Sequence, residues 1–443
     1  MNVKATLSLK RGVTLKVHCP VPLPREGGSL PRKKALFIVG DGMADRPNSL
    51  LNGLTPLEAA STPGMDKLAE VGMCGIVDVI SPGVPPGSDV AHLSLFGYDP
   101  YKVYRGRGGL EALGAGIEIR ESDVAFRANF ATVDEDMTVL DRRAGRILPE
   151  GDELAAALNG YRPKVAPDVT VLVNHTTEHR CVVVLRGEKL SHMVSDTDPH
   201  KNKRVLEAMP LDGSPEAKKT AMIVNEFTRY SYEVLSNHPA NLKRVKEGKP
   251  QANILILRGA GRVPDMASLR DLYGLKCACI VANALVRGVC RAAGMDAIDV
   301  KGVTGSFDTD LTAMGNAALR LLDEYDLVFL HVKGTDSASH DGDVGKKIAM
   351  IEKIDGMISF ILEAVDLENT YIVLTSDHTT PVTVREHTGE PVPVVIAGLD
   401  VRVDEVKRFS ERDCARGVLG RLRGRDIMPI LIDYLGRSHK YGA

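Results

Sequence analysis

Tryptophan is absent from the 443 residues and glutamine occurs once, at Gln251, a bias compatible with a heat-adapted source but insufficient to assign one. Long apolar runs are missing too. None approaches the roughly 20 residues that a membrane span needs, so no membrane partner is expected. Neither sign of charge is in excess: a formal net charge of -2 supplies no global field toward nucleic acid or an anionic bilayer, so any anionic ligand must be met by local groups. The 7 cysteines are scattered, with Cys277-Ala278-Cys279 the only close pair. That pattern gives neither a disulfide framework nor a C-x-x-C spacing, and a reducing cytoplasm fits it best. Met1 to Arg32 lacks a continuous apolar segment and does not read as a secretory signal.

What is present is a 44% hydrophobic chain long enough for two or three domains. A buried-strand texture recurs three times and each time runs into acid or imidazole. Ala35 to Gly40 leads to Asp41-Gly42; Asp326 to Val332 leads to Lys333, Asp336 and His340; Tyr371 to Leu374 leads to Ser376-Asp377-His378, with His387 just beyond. Singly, each is an ordinary polar turn. Together they place hard-oxygen and imidazole donors where open α/β sheets carry their chemistry. Between them lie a capped helix start at Ser61 to Ala69, a strand at Cys74 to Ile80, a helix at Asp310 to Glu324 and an amphipathic helix at Val344 to Val365. The alternation predicts an α/β fold, a doubly wound sheet with helices on both faces. Pro391 to Ile396 reads as a late edge strand, where proline is tolerated.

From about Ile117 to Thr304 the texture changes to period-two alternation, as in Ala125 to Val133 and around Cys181 to Leu185. This predicts an inserted, smaller α+β domain. The expected organisation is an N-terminal extension at 1–33, a metal-binding domain from 34–117 and 306–443, and an inserted substrate or cap domain at 118–305. The insert is rich in arginine, whose planar guanidinium binds carboxylate and phosphate bidentately. For any one arginine, solvated surface charge is the blander reading.

Pro85-Pro86-Gly87 delivers Ser88 to a helix N-terminus, where free N–H groups suit a phosphate; Ser88 is otherwise simply an N-cap. Ser94 lies deeper in the same helix and is the weaker candidate nucleophile. Three aspartates, three histidines and Ser88 are enough donors for two divalent ions, and with no cysteine among them Mn²⁺, Zn²⁺ or Co²⁺ fits better than a thiolate-loving metal, with Mg²⁺ as a further alternative.

Asp41-Gly42-Met43-Ala44-Asp45, Gly87 to His92, Gly334 to Asp343 and Ser376 to Pro381 through His387 resemble the metal-binding motifs of the alkaline phosphatase superfamily, and more narrowly the archaeal-type cofactor-independent phosphoglycerate mutases. The resemblance runs from about Lys34 to Ala443. It implies interconversion of 3-phosphoglycerate and 2-phosphoglycerate through a phosphoserine, without 2,3-bisphosphoglycerate. Carried onto this chain, Ser88 is the nucleophile; Asp41, Ser88, Asp377 and His378 hold one metal; Asp336, His340 and His387 hold the other. Arg127, Arg143, Arg146, Arg180, Arg258 and Lys333 are the candidates for binding substrate, and no residue is assigned as acid or base for the glycerate hydroxyls. The expected partner is a small phosphoglycerate, with no nucleic acid or membrane and no implied oligomeric state. A phosphatase or another phosphomutase of the superfamily shares the first half-reaction; a silent binding protein would not retain every ligand.

Overall fold

The computed structural model describes residues 32–146 and 148–442. The N-terminal extension expected at 1–33 therefore lies, but for Arg32 and Lys33, outside the described residues. In chain order the described strands are β1 (Lys34–Gly40), β2 (Gly72–Asp78), β3 (Val124–Val133), β4 (Val139–Asp141), β5 (Thr170–Thr177), β6 (Arg180–Arg186), β7 (Ile254–Gly261), β8 (Cys277–Val281), β9 (Asp296–Ala297), β10 (Leu327–Val332), β11 (Thr370–Thr375), β12 (Val392–Ala397) and β13 (Gly420–Arg423). Eight form one sheet in the order β13-β2-β12-β11-β1-β10-β8-β9, and five form another, β4-β3-β6-β5 with β7 also on β3.

Along β1, Leu36 and Ile38 enter one apolar core while Ala35, Phe37 and Val39 enter the other, because successive side chains leave opposite faces. With both faces covered, the strand reads as a continuous apolar run. Helices Ser88–Leu95, Ala284–Ala292 and Gly424–Tyr434 cover one face, and Pro63–Val71, Leu311–Leu321 and Val344–Ala364 the other. This is the expected α/β layering. β1 runs parallel to β10 and β11 in level register, Gly40 beside Val332 and Val39 beside Thr375, so the residues that follow all three strands emerge at one edge. Phe37, Phe96 and Phe329 pack edge to face below that edge, at centroid separations of 4.9 to 6.5 Å. Each such pair adds about 0.5–1.5 kcal/mol to its area burial.

Two sequence expectations need correction. β12 is not an edge strand: it lies antiparallel between β2 and β11. Proline is tolerated there because pairing with β11 begins only at Val394. The Pro393 carbonyl faces the β11 side, where it accepts from Thr375 Oγ1, so the missing N–H faces a stretch where the ladder has already ended. The boundary at 305 is also too late. β8 and β9 pair parallel in the main sheet, β8 on β10 and β9 on β8, so the second sheet draws only on residues 124–261. Cys277–Val281 is buried at every position, the texture of the main sheet rather than of the alternating insert.

The second sheet is antiparallel throughout and has its own core, with helices Gly151–Leu158, Pro215–Ser236 and Pro239–Lys246 packed on it. Helix Arg107–Gly114 packs against β3, β7 and helix Ala284–Ala292 at once. Its approach is backbone to backbone. A Cβ at Gly108 would fall 1.9 Å from Ala125 O, at Gly109 2.2 Å from Arg262 O, and at Gly114 1.7 Å from Ala284 O. No helix among the described residues is long and apolar enough to cross a membrane.

Candidate active site

At the shared strand edge, Asp41, Asp377 and His378 offer ligand atoms all within 4.8 Å of one another, and so do Asp336, His340 and His387. Asp41 directly follows β1 and Asp377 follows β11, whereas Asp336 and His340 stand one turn apart on helix Gly334–Asp341. Gly42, at φ +59°, closes the first turn onto the second group: a Cβ there would meet Asp336 Oδ1 at 2.9 Å. The turn is tied across by Gly42 N–H to Asp377 Oδ1 at 3.0 Å and Met43 N–H to Ser376 Oγ at 3.0 Å.

The hydrogen bonds around the histidines fix which nitrogen faces inward. His340 Nδ1 lies 2.8 Å from Arg385 O and His387 Nδ1 2.7 Å from Pro86 O; a carbonyl can only accept, so both Nδ1 atoms carry the proton. His378 Nδ1 is 2.8 Å from Thr380 Oγ1, whose own proton is directed to Asp336 Oδ1 at 3.2 Å. All three rings then turn Nε2 toward carboxylate. His378 Nε2 is 3.3 Å from both Asp41 Oδ1 and Asp377 Oδ2, while the Nε2 atoms of His340 and His387 are 3.4 and 3.5 Å from Asp336 Oδ1. A lone pair facing a carboxylate at that separation calls for a cation between them.

Charge gives the same indication. Burial and the Asp41 charge push the Asp377 carboxyl up. Burial also works against Asp41 and Asp336, yet Lys333 and the neighbouring imidazoles hold both below the usual carboxylate range. Burial opposes a charge on His387, but its bonds to Asp336 and Pro86 O prevail and push it up to about 9, so without a cation this ring holds a second proton on Nε2, at the place a bound cation would take. The Asp41 oxygens and Asp377 Oδ2 are buried without a well-directed hydrogen bond. Lys333 Nζ lies between the two groups, 2.9 Å from Asp41 Oδ2 and 2.5 Å from Asp336 Oδ2. Oxygen and imidazole donors, orphaned oxygens and inward lone pairs fit divalent cations.

Ser88 is the first residue of helix Ser88–Leu95; the cap is Gly87, so the serine oxygen is not consumed by capping. Ser88 Oγ is 3.4 Å from His378 Nε2, beside the first group. Ser94 Oγ, by contrast, donates to Val79 O at 2.5 Å. A third grouping, His92, His331 and Asp377, lies beneath. The His92 nitrogen nearest Asp377, at 3.7 Å, is the Nδ1 whose proton goes to Ser88 O at 2.6 Å, so it is not free to bind a metal. Burial and His331 push the His92 pKa down to about 3, and the ring is neutral.

A fully buried ammonium ties the loops together. Lys347 Nζ donates to Ala44 O at 3.1 Å, Thr380 O at 3.0 Å and Asp45 Oδ2 at 2.7 Å, linking the chain after Asp41 to the chain after His378. Asp45 N–H in turn donates to Glu411 Oε1 at 3.0 Å, and Thr55 Oγ1 donates to Oε2 at 2.8 Å. Burial of the Glu411 carboxyl pushes it up to about 7, with Glu58 adding to the shift. A raised carboxyl contributes stability that is complete below its ordinary pKa and is lost as pH climbs through the folded value. Glu411→Gln should therefore gain about 1–2 kcal/mol on the parent between pH 4.5 and 7.5, discounted for the partial exposure of the residue. Urea unfolding at both pH values checks this, and a constant difference would contradict it.

The arginine candidates divide. Arg127 and Arg258 are mostly buried; the charges of Arg107, Arg258 and Arg180 all press on Arg127, and Arg107 and Arg127 both face Glu111 Oε1, at 2.9 and 3.5 Å. Arg146 instead pairs with Glu178 at 3.1 Å on an exposed turn, and Arg143 occupies that same turn with its N–H on Asp141 Oδ1. Neither joins the cluster around Arg127. Arg180 also approaches Glu178, at 4.0 Å. Tyr104 Oη donates to Asp89 Oδ2 at 2.7 Å, which fastens the chain leading to Arg107 beside Ser88.

The sequence reading missed Arg107, His92, His331 and Lys347. Lys347 follows another lysine at a helix start and resembles solvated charge. His331 is a polar residue inside an otherwise apolar run, and that irregularity was a usable signal.

A model of the family described as 2,3-bisphosphoglycerate-independent phosphoglycerate mutase matches residues 69–241. The 2,3-bisphosphoglycerate-independent phosphoglycerate mutase of Ignicoccus hospitalis is 52% identical over 415 residues, covering 93% of this chain and 99% of that one. Among solved structures, a Pyrococcus horikoshii protein superposes with TM-score 0.82 at 43% identity, over 94% of this chain and 100% of its own. The cofactor-independent phosphoglycerate mutase of Thermoplasma acidophilum does so with TM-score 0.69 at 35% identity, over 91% of this chain and 100% of its own. The chain belongs to the 2,3-bisphosphoglycerate-independent phosphoglycerate mutase family.

Proposed function

We propose that this chain interconverts 3-phosphoglycerate and 2-phosphoglycerate through a phosphoserine at Ser88, beside a centre for two divalent cations. The observation that carries the reading is the uncapped Ser88 Oγ at a helix N-terminus, 3.4 Å from an imidazole whose lone pair faces two carboxylates. Asp41, Ser88, Asp377 and His378 would hold one cation and Asp336, His340 and His387 the other. Once bound, the cations neutralise charge on the transferring phosphoryl group and lower the pKa of the serine hydroxyl. The oxygen and nitrogen donor set puts Mn²⁺ first, ahead of Zn²⁺, Co²⁺ or Mg²⁺.

Ser88 Oγ bonds to phosphorus as the bond to the C3 oxygen breaks, and the serine proton ends on that oxygen. The glycerate then turns, its 2-hydroxyl oxygen bonds to phosphorus as the serine ester breaks, and a proton returns to Ser88. No water enters the balance. The N–H groups of Ser88 and Asp89, at the start of the helix, serve the phosphoryl group, and Lys333 keeps a positive charge at the centre. Arg127, Arg180 and Arg258, with Arg107, supply guanidinium groups for the glycerate carboxylate, and Arg143 and Arg146 become the weaker candidates. The second sheet, residues 124–261, serves as the cap that keeps water from phosphoserine while the glycerate reorients. The free, buried cysteines agree with a reducing cytoplasm.

Phosphate-labelled 3-phosphoglycerate given to metal-replete enzyme should yield labelled 2-phosphoglycerate. Predominant free phosphate would overturn the mutase reading in favour of a phosphatase. Exhaustive chelation should abolish turnover and added Mn²⁺ should restore it; an undiminished rate in protein shown by elemental analysis to be metal-free would rule out the two-cation centre.

A further inference from the structure

We infer that His92 is a positioning residue for Ser88: its Nδ1–H holds the Ser88 carbonyl from below and so fixes the turn on which the hydroxyl stands. The inference rests on the reading of Ser88 as the nucleophile.

Helix Ser88–Leu95 begins without its usual fastening, since the cap is Gly87 and provides no side-chain hydrogen bond. An aspartate or serine at that position would engage the first N–H groups, the same donors that a phosphoryl group on Ser88 needs. The helix is fastened through a carbonyl instead. His92, one turn on, sets Nδ1 2.6 Å from Ser88 O and leaves the hydroxyl and the N–H groups of Ser88 and Asp89 unengaged, while Val90 N–H donates to Asp89 Oδ1 at 3.0 Å. Its ring is fully buried, with Phe96, Phe329 and His331 at centroid distances of 6.2, 5.7 and 5.1 Å. His331 Nε2 lies 3.0 Å from Asp41 Oδ2, so the ring that steadies the nucleophile leans on one that contacts the first carboxylate. A nucleophile displaced by about 1 Å can lose on the order of 10²-fold in rate. The Ser88 hydroxyl's hydrogen bond is to His378, and His92 bonds the Ser88 carbonyl, so the influence of His92 passes through the backbone.

Asparagine keeps an N–H donor near the Nδ1 position, whereas glutamine moves it toward Nε2. His92→Asn should therefore stay within about threefold of the parent kcat, while His92→Gln and His92→Leu fall about 10–100-fold with KM changed by less than about twofold. The single-turnover rate of acid-stable phosphoserine formation from 3-phosphoglycerate should fall in parallel. Should His92→Leu fail to fold, the Asn and Gln pair still decides, because both keep a polar amide and differ in where the donor sits. Equal kcat for that pair, or a loss confined to KM, would overturn the inference. Failure of the underlying reading is separately visible: a parent enzyme that turns over but shows no phosphate on Ser88 by mass spectrometry after acid quench overturns both.

Discussion

Ser88→Ala is expected to lower kcat for phosphoglycerate interconversion by at least about 10³-fold while leaving the fold intact, because it removes the oxygen that carries the phosphoryl group. Ser88 Oγ makes one long contact, 3.4 Å to His378 Nε2, so its loss removes little that holds the helix in place. The unfolding free energy should move by less than about 0.5 kcal/mol, the usual range for changes that break no packing or strong bond. Ser94→Ala provides the contrast. Its hydroxyl bonds to Val79 O in the interior, so that variant should lose about 1 kcal/mol of stability and keep its chemistry. Rapid acid quench followed by mass spectrometry should show phosphate on the parent and on Ser94→Ala, and none on Ser88→Ala. A Ser88→Ala enzyme with kcat within tenfold of the parent would exclude Ser88 as nucleophile.

Lys347→Met is expected to cost about 3–5 kcal/mol, the range for breaking a buried ion pair from one side. The methionine fills the volume of the aliphatic stem, but three acceptors each lose a charged donor and the Asp45 carboxylate stays buried. It would retain only N–H donors, from Val382 at 3.1 Å and Arg46 at 2.8 Å. The damage should reach the metal centre, since Lys347 bonds Ala44 O and Thr380 O, each a few residues from Asp41 or His378. Weaker Mn²⁺ binding in a titration should accompany the lower midpoint in urea. A stability change below about 1 kcal/mol would show the network to be replaceable.

How much could be read beforehand follows from what each residue answers to. β1, β10 and β11 were legible because burial on both faces writes a continuous apolar run, and an aspartate or histidine ending such a run stands out. The grouping of Asp41 with Asp377 and of Asp336 with His387 came from motif resemblance; in the structure the first follows from the level register of β1 and β11, while His387 is held by its bond to Pro86 O on the loop before Ser88. The interior place of β12 was hidden, because whether a proline's missing N–H matters depends on where the neighbouring ladder stops, and that is a tertiary fact. The main-sheet identity of β8 was less hidden: Cys-Ala-Cys-Ile-Val is buried throughout, unlike the alternating β5. Arg107 escaped notice because its importance comes from packing partners more than 70 residues away, such as Arg258 on β7.

The helix Arg107–Gly114 carries a consequence for anyone who would diversify this enzyme. At Gly108, Gly109 and Gly114 even a methyl group would overlap a backbone carbonyl of β3, of the residue after β7 or of helix Ala284–Ala292, at 1.9, 2.2 and 1.7 Å, and no rotamer change can move a carbonyl aside. Saturation libraries at these positions should return almost only the starting residue. The exposed Gly160 and Gly213, with nothing within 4 Å of a built Cβ, differ in that a side chain there meets no neighbour; Gly213, whose backbone is not left-handed, should accept most of the alphabet. Recombination between homologues meets the same constraint: a crossover that brings this helix and β3, β7 or Ala284–Ala292 from different parents is safe only if both parents keep glycine at these three contacts.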